Sequence, residues 1–566
     1  LIYPVSPARF PVSCGLHFPV SKCSGRLLDP PSREIMSFRS EVCRKRPVSP
    51  NQAPVRPELI FCLCAASGTN TQDVVDALST ELKAVGYEAV NVRLSSLMAE
   101  LPGNEALQSL KFEDERIRES MRAGNRMRAI VGSDDAVVRL GIAQILRTRG
   151  ERSGDRQVQA EGVCFIINSL KREEEIELLR VLYGKRVFMI SIYEPEGSRI
   201  DALALRIARS RASGDIERYK PVAKQLIDID KKERGNPHGQ RLDDVFPLAD
   251  CFLKYGPDLR MNVERFVQLL FGAPFTTPTI DELMMFHAKS SAQRSADLSR
   301  QVGAVIATKR GEVLATGCNE VPRAGGGVIW DAVAGTPDDH RDYREGVDAA
   351  AAAKNDIVAD ALGALKRAGW LSENLASYEP EQLALMALFD GAKPLASAKV
   401  SSLLEFGRIV HAEMAAICDA AQRGVAVDDA TLYCTTFPCH VCARHIIAAG
   451  ISRVVYIEPY PKSQAKKLYR RAVRVDEDRE ASANAVAFEA FVGVAPSRFF
   501  DLFSFVERKN RQGYALPERV TEGAAPKSVA VGSYASELES SYLDCLDRGD
   551  WSESALGEEA GGQDGS

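Results

Sequence analysis

Residues 58–94, ELIFCLCAASGTNTQDVVDALSTELKAVGYEAVNVRL, do most to narrow the folds open to this chain. An apolar run over 59–64 reads as a buried strand, followed by a turn of small residues. Val74, Val75, Leu78, Leu82 and Val85 then recur at helical spacing, Gly86 ends the helix, and a second strand begins. Such a strand, helix and strand form a βαβ unit with parallel strands. VCFIINSL from Val163 and RVFMISIY from Arg186 repeat the strand pattern, alternating with amphipathic helices such as EEEIELLRVLYG. The prediction is an α/β fold with a parallel sheet covered on both faces.

The polar run 198–242 is expected to be mostly helical, and VFPLADCFL to be a last strand or its approach. Pro274, Thr276, Thr277 and Pro278 break two helices at an expected domain boundary. A second pattern opens at QVGAVIATKRGEVLATGCN, where two apolar strands flank Lys309-Arg310-Gly311 as a hairpin. An insertion, about 322–405, carries AGGGVIW, DDHRDYREG and an alanine-rich helix; helix 411–423, strand 431–435, helix 439–449 and strand 453–457 follow. Residues 1–56 hold Pro, Ser and Arg without periodicity and are expected to be a disordered or non-native leader, with Met36 as the start and a transit peptide as the alternative. The Gly-, Ser- and acid-rich end, 511–566, is expected to be a flexible tail.

Composition excludes several roles. A formal net charge of −5 argues against sequence-independent nucleic-acid binding, and no apolar run reaches the ~20 residues a bilayer span needs. Thirteen cysteines without a small disulfide framework point to a reducing, cytoplasmic setting and to metal or catalytic uses.

Those uses concentrate in HAEMAAICDAAQRGVAVDDATLYCTTFPCHVC, residues 411–442. One of only seven histidines opens it as His-x-Glu, and Pro-Cys-x-x-Cys closes it. Cys439 and Cys442 at a helix start turn both sulfurs to one side, and the helix dipole there favours thiolates; Pro438 suits the position before that helix. With His411 they make three zinc ligands and leave a fourth position for water, as catalytic zinc sites require. Glu413 stands near enough to move that water's proton without binding the metal, the pattern of zinc deaminases. The structural alternative, a closed zinc knuckle using Cys434 or His445, leaves Glu413 without a task. His440 and His445 read as solvent-facing or helix-packing residues.

HAEMAAI, TLYCTTFPCHVCARHIIAAGISRVVY and RQVGAVIATKRGEVLATGCNEVP together resemble the deoxycytidylate deaminase branch of the zinc cytidine deaminase superfamily, over 276–320 and 405–500. The resemblance implies hydrolytic deamination of a deoxycytidine nucleotide, dCTP or dCMP, with one Zn2+ per chain. It also implies that Asn319 holds the sugar, that Arg300 meets phosphate, and that backbone around Ala412 and Thr436 frames the pyrimidine. Ala415 stands where the family usually has Asn, and Gly317-Cys318-Asn319-Glu320 where it has Gly-Tyr-Asn-Gly. With SADLSRQVGAVIA, SLKREEEIELLRVLYG and EPYPKS, the whole chain resembles the bacterial anti-phage dCTP deaminases: a P-loop nucleotide-kinase-like domain, 57–275, fused to a deaminase domain, 276–510. That implies depletion of dCTP during phage infection.

In the N-terminal half, CAASGTNTQDV occupies the place of a phosphate loop, with Gly68 and Thr69 as nucleotide-binding candidates, but the lysine of G-x-x-x-x-G-K-[ST] is absent. Backbone N–H groups at the helix start still suit phosphate. Two readings stay open, a nucleotide-sensing or oligomer-contact site and a structural remnant. Arg116, Arg118, Arg122 and Arg126 read as a solvated helix face, while Trp330, Asp342 and Tyr343 are candidates to cap the active site or contact another subunit. The expected partners are a deoxycytidine nucleotide, a regulatory nucleotide or inhibitor at the N-terminal half, and further copies of the chain in a homo-oligomer, without a membrane. Rival readings are a housekeeping dCMP deaminase with a regulatory N-terminal half, a nucleotide-sensing module with structural zinc, and a polynucleotide deaminase, for which no basic, aromatic-interleaved channel is visible.

Overall fold

Leu59–Ala65 forms a strand (β1) buried along its whole length in the computed structural model, as a strand covered on both faces must be. The structure describes residues 56–527 apart from 234, 392, 397, 404, 405, 461, 462 and 477–480, together with Glu539, Tyr542 and Leu543. Met36 and the expected leader, except Arg56, lie outside the described residues. Asn70 opens the helix Thr71–Ala84 (α1), its side chain accepting the Gln72 N–H. β1 is joined by Glu88–Arg93 (β2), Val163–Asn168 (β3), Val187–Tyr193 (β4) and Cys251–Lys254 (β5) in the order β2-β3-β1-β4-β5, all parallel.

Alternation along these strands builds two apolar layers. Ile60, Cys62, Phe165 and Ile167 share one face with Ile142 and Ile145 of Ala136–Ser153 (α3) and Ile176 and Leu179 of Glu173–Tyr183 (α4). Phe61, Leu63, Phe188 and Ile190 share the other with α1 and Leu259–Leu270 (α7), where Phe266 meets Phe61 and Phe188. Between α1 and α3 runs Glu113–Val131 (α2); the polar run 198–242 is helical, over Glu196–Ser210 (α5) and Lys220–Lys231 (α6).

The second sheet contains Gly303–Ala307 (β6), Val313–Cys318 (β7), Thr431–Thr436 (β8), Arg453–Glu458 (β9), Val473–Val475 (β10) and Val486–Ala490 (β11), in the order β10-β11-β9-β8-β6-β7. The hairpin β6–β7 and the pair β6–β8 are antiparallel, and the remaining pairs are parallel. Ile280–Ala292 (α8) lies between the sheets. Its Met284, Met285 and Ala288 belong to one apolar cluster that reaches from Phe252 to Val305 and Tyr433. Among the described residues, that cluster has members on both sides of the boundary expected near 275. Gly493–Val494 (β12) returns from the second half to pair antiparallel with β5, and the Val494 N–H donates to buried Glu282 of α8, which also pairs with Arg265 at 2.7 Å.

The described part of the expected flexible tail is docked. The Lys527 N–H donates to the Leu270 carbonyl at 2.7 Å, and Glu539 is buried at 3.0 Å from Arg149. Composition hid this because Arg149, also paired with Glu58, is fully buried and needs carboxylates around it. No described helix is long and apolar enough to cross a membrane.

Two glycines set how closely helices approach the second sheet. A Cβ on Gly303 would lie 1.9 Å from the Ala288 carbonyl oxygen of α8. On Gly317 it would lie 2.2 Å from the Ala412 carbonyl oxygen, at the start of the helix Ala412–Gln422 (α10). The contacts are backbone, so nothing flexible can yield. Gly317→Ala is expected to displace α10, to cost about 1–3 kcal/mol in thermal or denaturant unfolding, and to lower activity more than it lowers stability.

Candidate metal and catalytic centre

α10 and His440–Ala448 (α11) both begin at one point, joined through β8. His411 is the extended residue that opens α10, and its side chain makes no capping bond, so the ring is available to turn across the site. Cys439 opens α11, with its sulfur accepting the Cys442 N–H. His411 Nδ1 lies 3.3 Å from the sulfur of Cys439 and 3.3 Å from that of Cys442. Among the described residues these three alone form a cluster able to hold a metal, all ligand atoms lying within 4.8 Å of one another. Cys434 and His445, the fourth ligands a closed knuckle would need, are outside it.

The donor set suits Zn2+: one imidazole nitrogen and two sulfurs, with room for a fourth ligand. The Cys439 thiol is held well below the usual thiol range by its hydrogen bond with Cys442 and by His411. The shared bond and burial push Cys442 up. A divalent cation bound here would favour both sulfurs as thiolates. Glu413 is 4 % exposed; burial, then the charge of Cys439, raises its carboxyl, which suits a group that must both take and return a proton.

A cavity of about 250 Å³ opens over this centre. His411, Glu413, Cys439, Ala412, Thr436, Asn319 and Arg300 all line it, and Cys442 sits fully buried behind them. The Asn319 amide is engaged by its own chain: Oδ1 accepts the Val302 N–H at 2.7 Å and Nδ2 donates to the Arg300 carbonyl at 2.8 Å. Asn319 thus fixes the backbone that carries Arg300. The Thr436 hydroxyl turns to Glu458, leaving its backbone to face the cavity.

Sequence reasoning missed Phe437 and Tyr460, whose rings form part of the wall, with the Arg300 guanidinium 5.0 Å from the Tyr460 ring centre. Tyr460 lay in view within EPYPKS. Lys354 and Arg408 had no local signal. Of Trp330, Asp342 and Tyr343, only Asp342 reaches this cavity.

Residues 278–458 match the cytidine and deoxycytidylate deaminase zinc-binding region. The chain therefore carries a zinc cytidine deaminase-like domain, and the metal its triad takes is Zn2+. It is 44% identical over 55 residues to the deoxycytidylate deaminase of Enterobacteria phage T2, covering 10% of this chain and 29% of the relative. It is 42% identical over 66 residues to ComE operon protein 2 of Bacillus subtilis, covering 12% and 35%. The chain thus spans about a third of the curated relatives it matches. Among solved structures, the dCMP deaminase of cyanophage S-TIM5 in complex with dCMP and dUMP matches at 19% identity over 38% of this chain and 98% of that one, with a TM-score of 0.21, too low to support an argument from the likeness.

A second cavity, about 220 Å³, lies at the carboxyl end of β1. Gly68, with φ +106°, and Thr69 line it beside the start of α1. A Cβ on Gly68 would meet the Arg199 carbonyl at 2.7 Å. The Ser67 N–H already donates to Asp230, which pairs with Lys171 at 2.8 Å. Four arginines line it; Arg128 is paired with Glu175 and Arg116 with Glu113, and Arg93, Arg116 and Arg206 converge here from far apart in sequence. Burial lowers the Arg206 guanidinium, with Glu113 and Glu194 opposing and the Arg116 and Arg93 charges adding to it, and its buried Nε has no hydrogen-bond partner among the described residues. Arg116 belongs to this cavity as well as to the helix face read as solvated.

Proposed function

We propose that this protein is a zinc-dependent hydrolase that converts a deoxycytidine nucleotide, dCMP or dCTP, to the uracil nucleotide and ammonia. The observation that carries the reading is the three-ligand centre with buried Glu413 beside it, both facing one cavity. A zinc ion there supplies Lewis acidity and makes water nucleophilic near neutral pH. Glu413 takes one proton from the water that adds at C4 and passes it to N3, then takes the remaining proton from the new C4 hydroxyl and delivers it to the departing amine as the C4 carbonyl forms. One water is consumed and one ammonia released. Backbone at Ala412 and Thr436 frames the base, Asn319 orders the sugar side, and Arg300 meets phosphate.

The finer reading is deamination of dCTP in anti-phage defence. It is supported by the combination of this centre with an N-terminal parallel sheet bearing its own cationic cavity. The division of the chain into a P-loop nucleotide-kinase-like domain, 57–275, and a deaminase domain, 276–510, belongs to the same reading. That the phage T2 and T4 relatives are deoxycytidylate deaminases favours dCMP, and with it a housekeeping enzyme with a regulatory N-terminal half. Chromatography of products from dCTP, dCMP and CTP offered side by side tests the difference: dUTP from dCTP supports depletion, and dUMP from dCMP alone supports housekeeping. The described cysteines are all free, in keeping with a reducing compartment such as the cytoplasm.

At the N-terminal cavity the reading is a regulatory nucleotide held at Gly68 and Thr69. The converging arginines support it, because with Lys171 they outnumber Glu113 and Asp230, the carboxylates on the wall, and so favour a polyanion. Arg206→Ala is expected to weaken binding of a non-hydrolysable nucleoside triphosphate at that half by about 10-fold or more in calorimetry. Unchanged affinity would remove the arginines from the site.

A further inference from the structure

The catalytic cavity is not built from the deaminase-like strands and helices alone. Asp342, Asp348, Ala350 and Lys354 reach it from the long connection between β7 and α10, as does Arg408 just before α10. Within that connection the helix Ala349–Arg367 (α9) begins at the cavity wall, and Lys354 lies one turn beyond Ala350 on the same helix face. Sequence alone gave this insertion only the undecided roles of a cap or a subunit contact.

The charges along the wall leave a specific remainder. Asp297 accepts the N–H groups of Ser299 at 2.6 Å and Arg300 at 3.3 Å. Asp348 is the cap of α9 and accepts the Ala350 and Ala351 N–H groups at 2.8 and 3.2 Å. Asp342 pairs with Arg408 at 3.0 Å. Apart from Glu413 beside the metal ligands, each carboxylate on the wall is thus engaged within its own segment or by Arg408. Lys354 and Arg300 are the remaining cations, and among the described residues neither has a carboxylate partner. Arg300 is exposed, with its guanidinium over the Tyr460 ring, and Lys354 is half-buried. Two cations without a carboxylate partner among the described residues, in the cavity that also contains the metal ligands, call for an anion that arrives with the substrate.

We propose that Lys354 is a specificity-determining residue that, with Arg300, binds the phosphate chain of the 5′-nucleotide and favours the longer chain. This rests on the reading of the cavity as a nucleotide deaminase site. Arg300 is placed by Asn319, so it supplies the fixed contact that any 5′-phosphate meets. Lys354 comes from the insertion and supplies a second, separately carried charge, which a triphosphate can occupy together with Arg300. The long connection between β7 and α10 then has a chemical role, setting how many phosphates the enzyme accepts.

The test uses the zinc-loaded full chain and the variants Lys354→Ala and Lys354→Arg, with KM and kcat measured for dCTP, dCMP and deoxycytidine. Lys354→Ala is expected to raise KM for dCTP by about 10- to 100-fold, as loss of a hydrogen bond to a charged group does, with a smaller rise for dCMP and the smallest for deoxycytidine. Lys354→Arg restores most of the loss, and inorganic pyrophosphate competes with dCTP less well in the alanine variant. An equal loss on all three substrates shows a structural role and overturns the proposal, as does an unchanged KM for dCTP. Calorimetric titration with dUTP and dUMP reads the same contact without turnover. If wild type deaminates nothing, the deaminase reading falls, while the dUTP affinities of wild type and Lys354→Ala still decide the role of Lys354: a 10-fold difference supports it and equality overturns it.

Discussion

Glu413→Gln is expected to lower kcat by roughly 10²- to 10⁴-fold, the usual contribution of a positioned general acid–base, while the protein keeps its zinc. The substitution retains the size of a side chain that is 4 % exposed and removes only its ability to take and return a proton. Metal content by atomic absorption and uracil-nucleotide formation by chromatography are the two readouts. Near-normal turnover would mean that the proton travels another way. Loss of zinc together with activity would mean that the carboxylate supports the metal rather than the proton.

Cys442→Ala should have the larger effect on the protein itself. Its fully buried sulfur lies 3.3 Å from His411 Nδ1, so no solvent ligand can replace it without opening the start of α11. Zinc affinity is expected to fall by more than about 100-fold, beyond what loss of a supporting residue around a metal typically costs. Activity should disappear with it, and the unfolding temperature should drop because the metal no longer joins α10 to α11. A chelator added to wild type should reproduce the activity loss, and added zinc should reverse it. Full zinc binding by Cys442→Ala would exclude this residue from the ligand set.

The centre was legible in the sequence because its parts are close along the chain. His411, Glu413, Cys439 and Cys442 span one helix, one strand and one helix start, so residue spacing alone brings them together. The parallel strands β1, β3 and β4 were legible for a related reason, since a strand covered on both faces must be apolar throughout. The arginines at the second cavity were not: Arg93, Arg116 and Arg206 come from three separate elements, and only tertiary packing brings them to one place. Lys354 sits in an alanine-rich helix whose own pattern gives no sign of the cavity it reaches. Docking of Glu539 was hidden in the same way, its partner Arg149 lying 390 residues upstream. The sugar contact at Asn319 was read from family resemblance; its bonds to the backbone at Arg300 and Val302, made across 19 and 17 residues, were not legible.

The central claim is that the triad and Glu413 form a zinc-dependent deaminase centre. Its most direct test is a time course on the full chain, with zinc per chain determined on the same sample and ammonia and uracil nucleotide measured together from dCMP and dCTP. The account predicts one zinc per chain and equal molar amounts of ammonia and uracil nucleotide, both lost on chelation and in Glu413→Gln. A sample holding one zinc per chain that releases no ammonia from either nucleotide would contradict it.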